Sequence, residues 1–580
     1  MKFLRFVFLL TVLGSLTSSA YVLDYAKGGS MRRWALTGVA APTNVVNRTT
    51  HAIRYFLAGR GWSATNTTAE LNSIRASFDQ WQSISGTSLK FEEGGVLFGP
   101  INETSDGTNL IFWATNTLVN GGLDDITGSL GVTFSHFTPG ANVMTEADLV
   151  LNGVEFSWFT DFNDKYNANF FTEGTLLHEI GHFIGLNHSP VGGATMLWEG
   201  GNGVGPQAGL SSDEIAAVRF LYPPASAGSF GALKGTVTAS GVNVLGASVI
   251  VEDSTGNVVA GTVTRTNGTY DLQNLSAGSY KVRVCPLDDT SGNWLVAGED
   301  IAGEFSTAST TFLPTTNILS TITAGVTNTL NVAVTNGTPA FRISGLRAPS
   351  LSAGSFTLYE TPVSITVGQS NYTIGVYGST LPGSGVTLSI TGDGLTLGST
   401  SASAFGSPFS GFQLLSVSIS VASNATPGMR SFVVTRASDG AVAYANGFLD
   451  VVSAVPDFNF DGLDDRFQRQ YFPVFTSASA APTADPDGDG FNNTAEYLSG
   501  TDPTNALSLL KVNKVVQDGT GATITWQSGV GKRYQILSRA NFSPAQWVTN
   551  TTVSGTGATT QYKDLTGTTG FRFYRVQAVP

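Results

Sequence analysis

The sequence predicts a multidomain protein, in which an α+β domain with a site-bearing helix is followed by all-β sandwich modules and a small module of acidic loops. The chain has 580 residues, more than a single hydrophobic core usually organises. Apolar residues at helical spacing are concentrated before residue 224, and alternating apolar and polar residues between glycine-rich turns dominate after it. Glycine is abundant and only 12% of residues are charged, which is typical of extracellular β-rich modules.

These patterns divide the chain into segments of different character. A linker rich in proline, alanine and serine separates the α+β domain from the first sandwich. The predicted segments are a signal peptide (1–20), an N-terminal link (21–32), the α+β domain (33–224), two β-sandwiches (231–338 and 339–453), an acidic calcium-loop segment (454–508) and a C-terminal β-sandwich (509–580).

The first 20 residues predict export. They have a basic start, an apolar stretch and a small-residue end at Ser18 and Ala20, which is the order of a cleaved secretory signal. The alternative is a membrane anchor, but the apolar stretch is too short to favour it, and no later stretch indicates a transmembrane segment. We therefore expect a secreted, extracellular or cell-surface protein, and a monomer.

Cysteine content and charge restrict the chemistry further. Cys285 is the one cysteine of the chain, so no internal disulfide is expected, and its apolar strand context predicts a buried thiol. The net charge of −12 argues against a nucleic-acid partner bound through a basic surface.

Within the α+β domain, strands and helices are predicted from periodicity. The closing helix begins at a serine cap, Ser211 or Ser212. The predicted strands are 51–59, 88–91 and 109–114, and a further strand with a turn is predicted at 146–158. The predicted helices are 68–83, 176–186 and 211–222.

The stretch HEIGHFIGLNH carries the strongest chemical signal in the chain. On a helix, His178 and His182 stand one turn apart on one face, so two imidazoles can bind one metal ion. Gly185 allows a turn with positive φ, which brings in His188 as a third ligand. This set predicts one zinc ion with a fourth position open for water. The alternative, solvated or core histidines, is disfavoured by the spacing.

Met196 follows His188 by eight residues, and HExxHxxGxxH with a later methionine resembles the metzincin zinc metalloproteases. In that family the Met-turn methionine packs beneath the metal, and simple core filling is the alternative for Met196. The segments SFDQWQSISGTSLKF, GVTFSHFTPG, EADLVLN and DEIAAVRFLYP, in this order, resemble the matrixin branch, peptidase family M10, across the 33–224 domain.

The resemblance implies a secreted zinc metalloendopeptidase that hydrolyses peptide bonds in extracellular proteins. Glu179 is the implied catalytic base: it takes a proton from the zinc-bound water during attack on the peptide carbonyl and returns it to the leaving amine. The spacing independently permits this role, because Glu179 adjoins His178 on the same helix.

Three departures from the matrixin pattern limit what carries over. A second, structural zinc is not predicted, because only His136 occupies a suitable position, and we expect His136 to be a polar loop residue. The N-terminal link has no cysteine that could maintain latency, so the restraint on activity stays open. Leu197 and Trp198 replace the usual residues after the methionine, so the substrate and cleavage preference are not implied.

The later modules resemble known β-domains. Residues 231–338 resemble the carboxypeptidase regulatory-like sandwich in GASVIVED, NGTYDLQNL and AGSYKVRV, and we expect a spacer. Residues 339–453 predict an Ig-like sandwich, whose aromatic residues either fill the core or bind glycan. Residues 509–580 resemble C-terminal domains of large secreted bacterial proteins, with anchoring, sorting and glycan binding left open.

The acidic segment predicts calcium binding, because DPDGDGFNNTAE matches the EF-hand loop at every informative position. DFNFDGLDD repeats the scheme earlier, but Gln468 stands where a glutamate is expected, so this site is predicted to be weaker. The pair resembles dockerin and thrombospondin type 3 repeats, which implies one or two Ca²⁺; a solvated acidic linker is the alternative. The expected ligands are Asp485, Asp487, Asp489, Phe491, Asn493 and Glu496 in the strong loop, and Asp457, Asn459, Asp461 and Asp465 in the weaker one.

Other functions are compatible with this organisation. The main alternative is a non-enzymatic adhesin or matrix protein with a degenerate peptidase domain and glycan- or protein-binding β-modules. A toxin-like peptidase for a single host protein is a third hypothesis. The intact Glu179 favours the enzyme, so the expected partner is a protein or peptide substrate, and an extracellular glycan or matrix component stays open as a partner of the β-modules.

Overall fold

The computed structural model describes most of the chain after the predicted signal. Residues 1–20, where the signal peptide is predicted, lie outside the described residues, as does most of the N-terminal link. The described ranges are 22–24, 31–38, 42–99, 106–138, 142–165, 167–224, 230–287, 311–349, 356–359, 361–405, 410–541, 546–567 and 571–580.

The chain divides into two compact units. The first comprises the described residues up to Leu71 together with Ile84–Ala454, and the second comprises Asn72–Ser83 with Val455–Pro580.

The α+β region contains the predicted elements. Its strands are β1 (Ile53–Ala58), β2 (Phe91–Leu97), β3 (Leu110–Ala114), β4 (Leu118–Val119), β5 (Asp124–Asp125), β6 (Gly131–Phe137), β7 (Met144–Asn152), β8 (Trp158–Phe159) and β9 (Phe170–Phe171). Its helices are α1 (Thr67–Gln82), α2 (Thr172–Phe183) and α3 (Ser212–Leu221), with 3₁₀ turns at Asn120–Gly122 and Pro206–Ala208.

Most boundaries agree with the periodicity. The predictions of α1, α3, β1 and β3 are confirmed to within two residues. Ser211 caps α3, and a reciprocal bond with Glu214 completes a capping box. Two predictions are shifted: the strand expected at 88–91 starts only at Phe91, and the site helix begins at Thr172, earlier than expected.

The sheet of the α+β region places one antiparallel strand beside the site helix. The strand order is β2-β1-β3-β7-β6; β1 pairs in parallel with β2 and β3, and β3 pairs in parallel with β7. Strand β6 pairs antiparallel with β7 and ends the sheet among the described strands. Because β3 is buried throughout and β6 is only half-buried, β6 is the strand available to the site.

After α3, strands dominate the rest of the first unit. They are β10 (Phe230–Ala239), β11 (Val242–Asn243), β12 (Ala247–Glu252), β13 (Val258–Val263), β14 (Thr269–Ser276), β15 (Gly278–Pro286), β16 (Ile318–Ile322), β17 (Thr327–Thr329), β18 (Val332–Val334), β19 (Gly345–Pro349), β20 (Phe356–Tyr359), β21 (Val363–Thr366), β22 (Tyr372–Gly378), β23 (Val386–Ile390), β24 (Leu395–Leu397), β25 (Ser401–Ala404), β26 (Gln413–Val421), β27 (Gly428–Arg436) and β28 (Val442–Val452).

One sheet runs through both predicted sandwiches. Its main path is β16-β15-β12-β13-β27-β28-β21, with β23 paired to β27. The junction is a short antiparallel pairing of Val258 in β13 with Met429 in β27. The alternation pattern does not reveal this connection, because it reports the faces of a strand and not its neighbours. Aromatic Tyr377 is largely buried and contacts Phe405 and Phe412, as expected for a core residue.

The second unit combines short helices with a small β-sandwich. The sandwich has two three-stranded sheets, β29-β30-β33 and β32-β31-β34, with Trp526 and Tyr534 in its core. The elements are α4 (Asp465–Tyr471), a 3₁₀ turn at Ala478–Ala480, α5 (Asn493–Ser499), β29 (Val512–Asp518), β30 (Gly521–Gln527), β31 (Arg533–Arg539), β32 (Val548–Ser554), β33 (Thr559–Asp564) and β34 (Phe573–Val579).

The described residues also bear on the predictions about the cysteine and about transmembrane segments. Cys285 is a buried thiol, as predicted. Among the helices that the structure describes, none has the length and apolarity needed to cross a bilayer.

A buried ion pair connects the strands of the long sheet. Arg283 of β15 and Glu252 of β12 are both fully buried, with Nη1 2.7 Å from Oε1. The same guanidinium donates to Asn446 in β28 and to Ser431 in β27, each at 2.6 Å. One side chain therefore links strands of both predicted sandwiches.

The variant Arg283→Ala should lower the free energy of unfolding of this unit by about 3–5 kcal/mol, because it leaves the Glu252 carboxylate buried without its cation. The double variant Arg283→Leu/Glu252→Leu should recover most of that loss, since neither member of this ion pair is left buried without the other. Denaturant unfolding measures both. Equal stability of the single and double variants would contradict this account.

Candidate metal centre

Helix α2 carries the first two predicted ligands. It begins after the extended residue Phe171, and Leu176, Leu177 and Ile180 are fully buried on its core-facing side. His178 and His182 lie one turn apart, with ring centroids 4.9 Å apart. The predicted convergence of two imidazoles on one face is therefore observed.

The turn after α2 requires a glycine for two reasons. Gly185 has φ +102°, and a Cβ there would lie 2.4 Å from the carbonyl oxygen of Arg32. The N-terminal segment also pairs with this turn: Asn187 N–H donates to Val22 O at 2.6 Å, and Asp24 N–H donates to Gly185 O at 3.0 Å. Gly185 thus allows both the reversal of the chain and the close approach of the N-terminal segment.

The turn brings His188 to the other two histidines. The Nε2 atoms of His178 and His188 each lie 3.2 Å from Nε2 of His182. Two nitrogens at tetrahedral zinc distances would be separated by about 3.3 Å. These three nitrogens form the one histidine cluster with metal-binding spacing among the described residues.

Backbone carbonyls orient two of the rings. Nδ1 of His178 lies 2.9 Å from Thr195 O, and Nδ1 of His182 lies 2.9 Å from Leu186 O. A carbonyl oxygen only accepts hydrogen bonds, so each Nδ1 must carry the proton. The lone pair is then on Nε2, which faces the cluster, and this is the usual outer-shell arrangement of a metal-ligating histidine.

Burial keeps these imidazoles in the form that binds metal. Burial, and to a lesser extent the neighbouring His182, lowers the pKa of His178 to about 3. Burial likewise lowers the pKa of His188 well below its ordinary value. Both rings are therefore neutral at pH 7, so no proton competes for the ligand nitrogen. The three histidines fit a zinc ion in donor type and spacing.

Glu179 lies beside the edge strand β6. Its side chain is 4% exposed, and the Thr133 hydroxyl lies 2.8 Å from Glu179 Oε2 and 2.9 Å from its backbone oxygen. A Cβ at Gly131 would lie 2.8 Å from Glu179 Cγ. Strand β6 thus supplies a hydroxyl donor at Thr133, and the absence of a side chain at Gly131 leaves space for the Glu179 carboxylate.

Met196 packs against α2 between the two helical histidines. It is 2% exposed, and a Cβ at Gly181 would lie 2.1 Å from its sulfur. Its N–H donates to Glu214 Oε1 at 3.0 Å, and its carbonyl accepts from Ser189 N–H at 2.8 Å. The methionine is thus held beneath the helix by α3 and by the residue after His188.

A mixed sheet with one antiparallel edge strand, an HExxH helix, a third histidine after a glycine turn and an underlying methionine are typical of metzincin-type zinc peptidases. Residues 47–223 match the family model described as matrixin, and residues 232–288 match that of the carboxypeptidase regulatory-like domain. A matrixin domain supports a zinc metallopeptidase with a protein substrate. No curated protein sequence matches the chain.

Residues around the centre differ from expectation in one respect. The prediction that His136 is a loop residue is wrong: it lies in β6, paired with Glu146 of β7, because the strand continues to Phe137. His51 is exposed, with Nδ1 3.1 Å from Leu36 O. Of the residues after the methionine, Leu197 is buried and Trp198 is 38% exposed.

The second acidic loop brings three of its six predicted ligands together. Carboxylate oxygens of Asp485, Asp487 and Asp489 lie within 4.8 Å of one another. Glu496 is fully buried, and neither of its carboxylate oxygens has a well-directed hydrogen bond. Asn493 Oδ1 is also buried without a donor. Burial, and then the charge of Asp487, raises the pKa of Glu496 to about 7, so the loop is unfavourable to its own negative charge.

In the first acidic loop, side-chain amides donate hydrogen bonds to a predicted calcium ligand. Gln468, at the position of Glu496, donates from Nε2 to Asp461 at 2.7 Å and to Ala480 O at 2.9 Å. Asn459 Nδ2 also donates to Asp461 at 3.0 Å, and Asp465 accepts from Phe458 N–H at 2.8 Å. Amide donors thus occupy the carboxylates that a cation would otherwise bind. Calcium here, with Asp457 as first ligand, stays a prediction.

Sequence reasoning missed Thr133, Gly131 and Gly181. The segment GVTFSHFTPG was noted only for its resemblance to the matrixin branch, and no strand was predicted there. Which of its side chains contacts Glu179 depends on the position of β6 beside α2. Thr133 contacts Glu179 across 46 residues of chain, and no local pattern reports such a contact. The glycine inside HEIGH was the available signal for close packing against the helix.

The variant Thr133→Val should lower kcat/KM for peptide hydrolysis by about 10- to 100-fold, since it removes a hydrogen bond to the Glu179 carboxylate while keeping the side-chain shape. Steady-state kinetics with a peptide substrate measures this, and bound zinc should be unchanged. Thr133→Ser, which keeps the hydroxyl, is the matched control. If the valine and serine variants are equally active, Thr133 has no role in positioning the base.

Proposed function

We propose that the chain is a secreted zinc metalloendopeptidase that hydrolyses peptide bonds in extracellular proteins. The observation that carries the proposal is that Nε2 of His182 lies 3.2 Å from Nε2 of both His178 and His188, beside a helix that also bears Glu179. His178, His182 and His188 are the zinc ligands in this proposal, and Glu179 is the catalytic base.

The zinc ion, once bound, would supply a water of pKa about 7 and polarise the peptide carbonyl. Glu179 accepts a proton at its carboxylate and returns it to the leaving amine. The Thr133 hydroxyl holds that carboxylate in place, and burial around the helix excludes bulk water from it. Strand β6, at the end of the sheet, offers backbone groups to which an extended peptide can add as a further strand.

The variant Glu179→Gln should retain zinc and lose hydrolysis by several orders of magnitude. The amide keeps the size of the side chain and its contact with Thr133, but it cannot accept the proton. Elemental analysis of the purified full-length protein and a chelator-sensitive peptide cleavage assay measure the two properties.

The results of the zinc analysis and the cleavage assay distinguish the enzyme from the adhesin hypothesis. Cleavage by wild type and not by Glu179→Gln, with equal zinc content, supports the proposal. Unchanged cleavage in the variant would remove Glu179 from the mechanism. Absence of both zinc and cleavage in wild type would favour the adhesin with a degenerate domain. The arrangement around Glu179 speaks against that alternative, because ligands and base are all retained and the base has a dedicated donor.

We also propose that the second acidic loop binds one calcium ion through Asp485, Asp487, Asp489, Asn493, Glu496 and the carbonyl of Phe491. The buried oxygens of Glu496 and Asn493 without donors support this, because burial of unpaired acceptors is unfavourable unless a cation satisfies them. The Thr501 hydroxyl, which lowers the pKa of Glu496, is itself paired with Ser499 at 2.8 Å.

The variant Glu496→Gln should weaken calcium binding by about two orders of magnitude, because the loop loses its bidentate carboxylate. Calorimetric titration of the full-length protein measures the affinity. The matched variant Gln468→Glu supplies the missing carboxylate to the first loop and should raise the stoichiometry from one to two. Calcium affinity of Glu496→Gln equal to wild type would refute the site.

A further inference from the structure

The loop between the third histidine and the methionine is buried by the β-region that follows the peptidase domain. We call residues 190–194 the docking loop. Every residue from 189 to 197 is buried. Val191 and Ala194 belong to one apolar cluster with Ile250 of β12, Val258 of β13 and Met429 of β27. The cluster thus joins the loop to strands of both predicted sandwiches.

Backbone groups approach so closely that glycines are required. Gly192 N–H donates to Asn446 O of β28 at 2.8 Å. A Cβ at Gly193 would lie 2.9 Å from Gly447 O, and a Cβ at Gly261 would lie 2.5 Å from Val191. Glycines on both sides of the contact indicate a built interface and not a loose one, since any larger residue there would separate the two surfaces.

A buried carboxylate connects the interface to the metal ligands. Asp213 of α3 is 2% exposed; its Oδ1 accepts from Gly261 N–H of β13 at 2.8 Å, and its Oδ2 accepts from the Ser189 hydroxyl at 2.7 Å. Ser189 directly follows His188. One carboxylate therefore ties the β-region to the residue beside the third ligand.

The other end of the docking loop leads to the first ligand. Thr195 follows the loop, and its carbonyl accepts from Nδ1 of His178 at 2.9 Å. The two ends of the loop are joined by a backbone hydrogen bond, in which Ser189 N–H donates to Met196 O at 2.8 Å. A displacement of the docking loop would therefore disturb the residue beside His188 and the orienting partner of His178 together.

We propose that β12, β13, β27 and β28 are part of the metal-site scaffold, and that Val258, Gly261 and Met429 are positioning residues for the histidine ligands. The β-region then acts as a structural part of the peptidase and not as the spacer expected from the sequence. The inference rests on the proposed function for its effect on catalysis, but the interface itself is independent of activity.

Two matched pairs of full-length variants test the proposal. Val258→Ala opens a cavity under the docking loop. Its control, Val376→Ala in β22, removes the same atoms from a separate apolar cluster. Met429→Ala is paired with Met429→Leu, which restores most of the volume. Thermal unfolding of each variant first establishes that it folds.

The first readout is hydrogen exchange of residues 189–197 in metal-free protein. Val258→Ala and Met429→Ala should raise exchange in this stretch about tenfold, because local opening becomes easier when its packing is lost. Val376→Ala and Met429→Leu should leave it within about twofold of wild type. Because no metal is present, this readout is valid even if the zinc peptidase proposal is wrong.

The second readout is zinc transfer from the loaded protein to a chelator, together with kcat and KM. The two docking variants should release zinc about tenfold faster and lower kcat with little change in KM, since ligand positions and not substrate contacts are altered. If Val258→Ala and Val376→Ala behave alike in exchange and in zinc release, the β-region is a spacer and the proposal is overturned. If wild type itself neither holds zinc nor cleaves peptide, the proposed function fails separately.

Discussion

The structure of the first unit depends on bringing Nε2 of His178 and Nε2 of His188 each to within 3.2 Å of Nε2 of His182. Burial lowers the pKa of His178 and of His188, so these two rings carry no charge at pH 7 that could hold the cluster together. The arrangement therefore needs an external framework. Carbonyls of Thr195 and Leu186 supply it at the rings, and the positive-φ turn at Gly185 supplies it in the chain.

The framework extends well beyond the HExxH helix. The N-terminal residues 22–24 pair with the Gly185 turn, α3 holds Met196 through Glu214, and β6 holds Glu179 through Thr133. Strands β13, β27 and β28 bury the docking loop. Several separate stretches of chain thus stabilise a site whose three histidines lie within eleven residues of sequence. Support from so many stretches can keep rigid a site that is built on one helix and the turn after it.

The two acidic loops share one sequence motif, but the side chain at its last position decides whether the carboxylates find hydrogen-bond donors within the loop. In the first loop the Gln468 amide donates to Asp461, so this carboxylate has a donor from within the loop. In the second loop Glu496 adds a buried charge with no comparable donor. The loops have the same glycine turn and the same helix after it, so the difference lies in charge balance and not in backbone shape.

The sequence by itself determined the features that depend on local geometry. Helix α2 and the facing pair His178 and His182 follow from the helical period, and the Gly185 turn and the acidic loops follow from backbone conformations that few residues adopt. Only the tertiary structure decided the contacts between distant segments: Thr133 on Glu179, one sheet through two predicted sandwiches, His136 in a strand, and the β-region on the docking loop. Periodicity reports which face of an element is apolar, but not what covers it, because that partner is selected by packing across hundreds of residues.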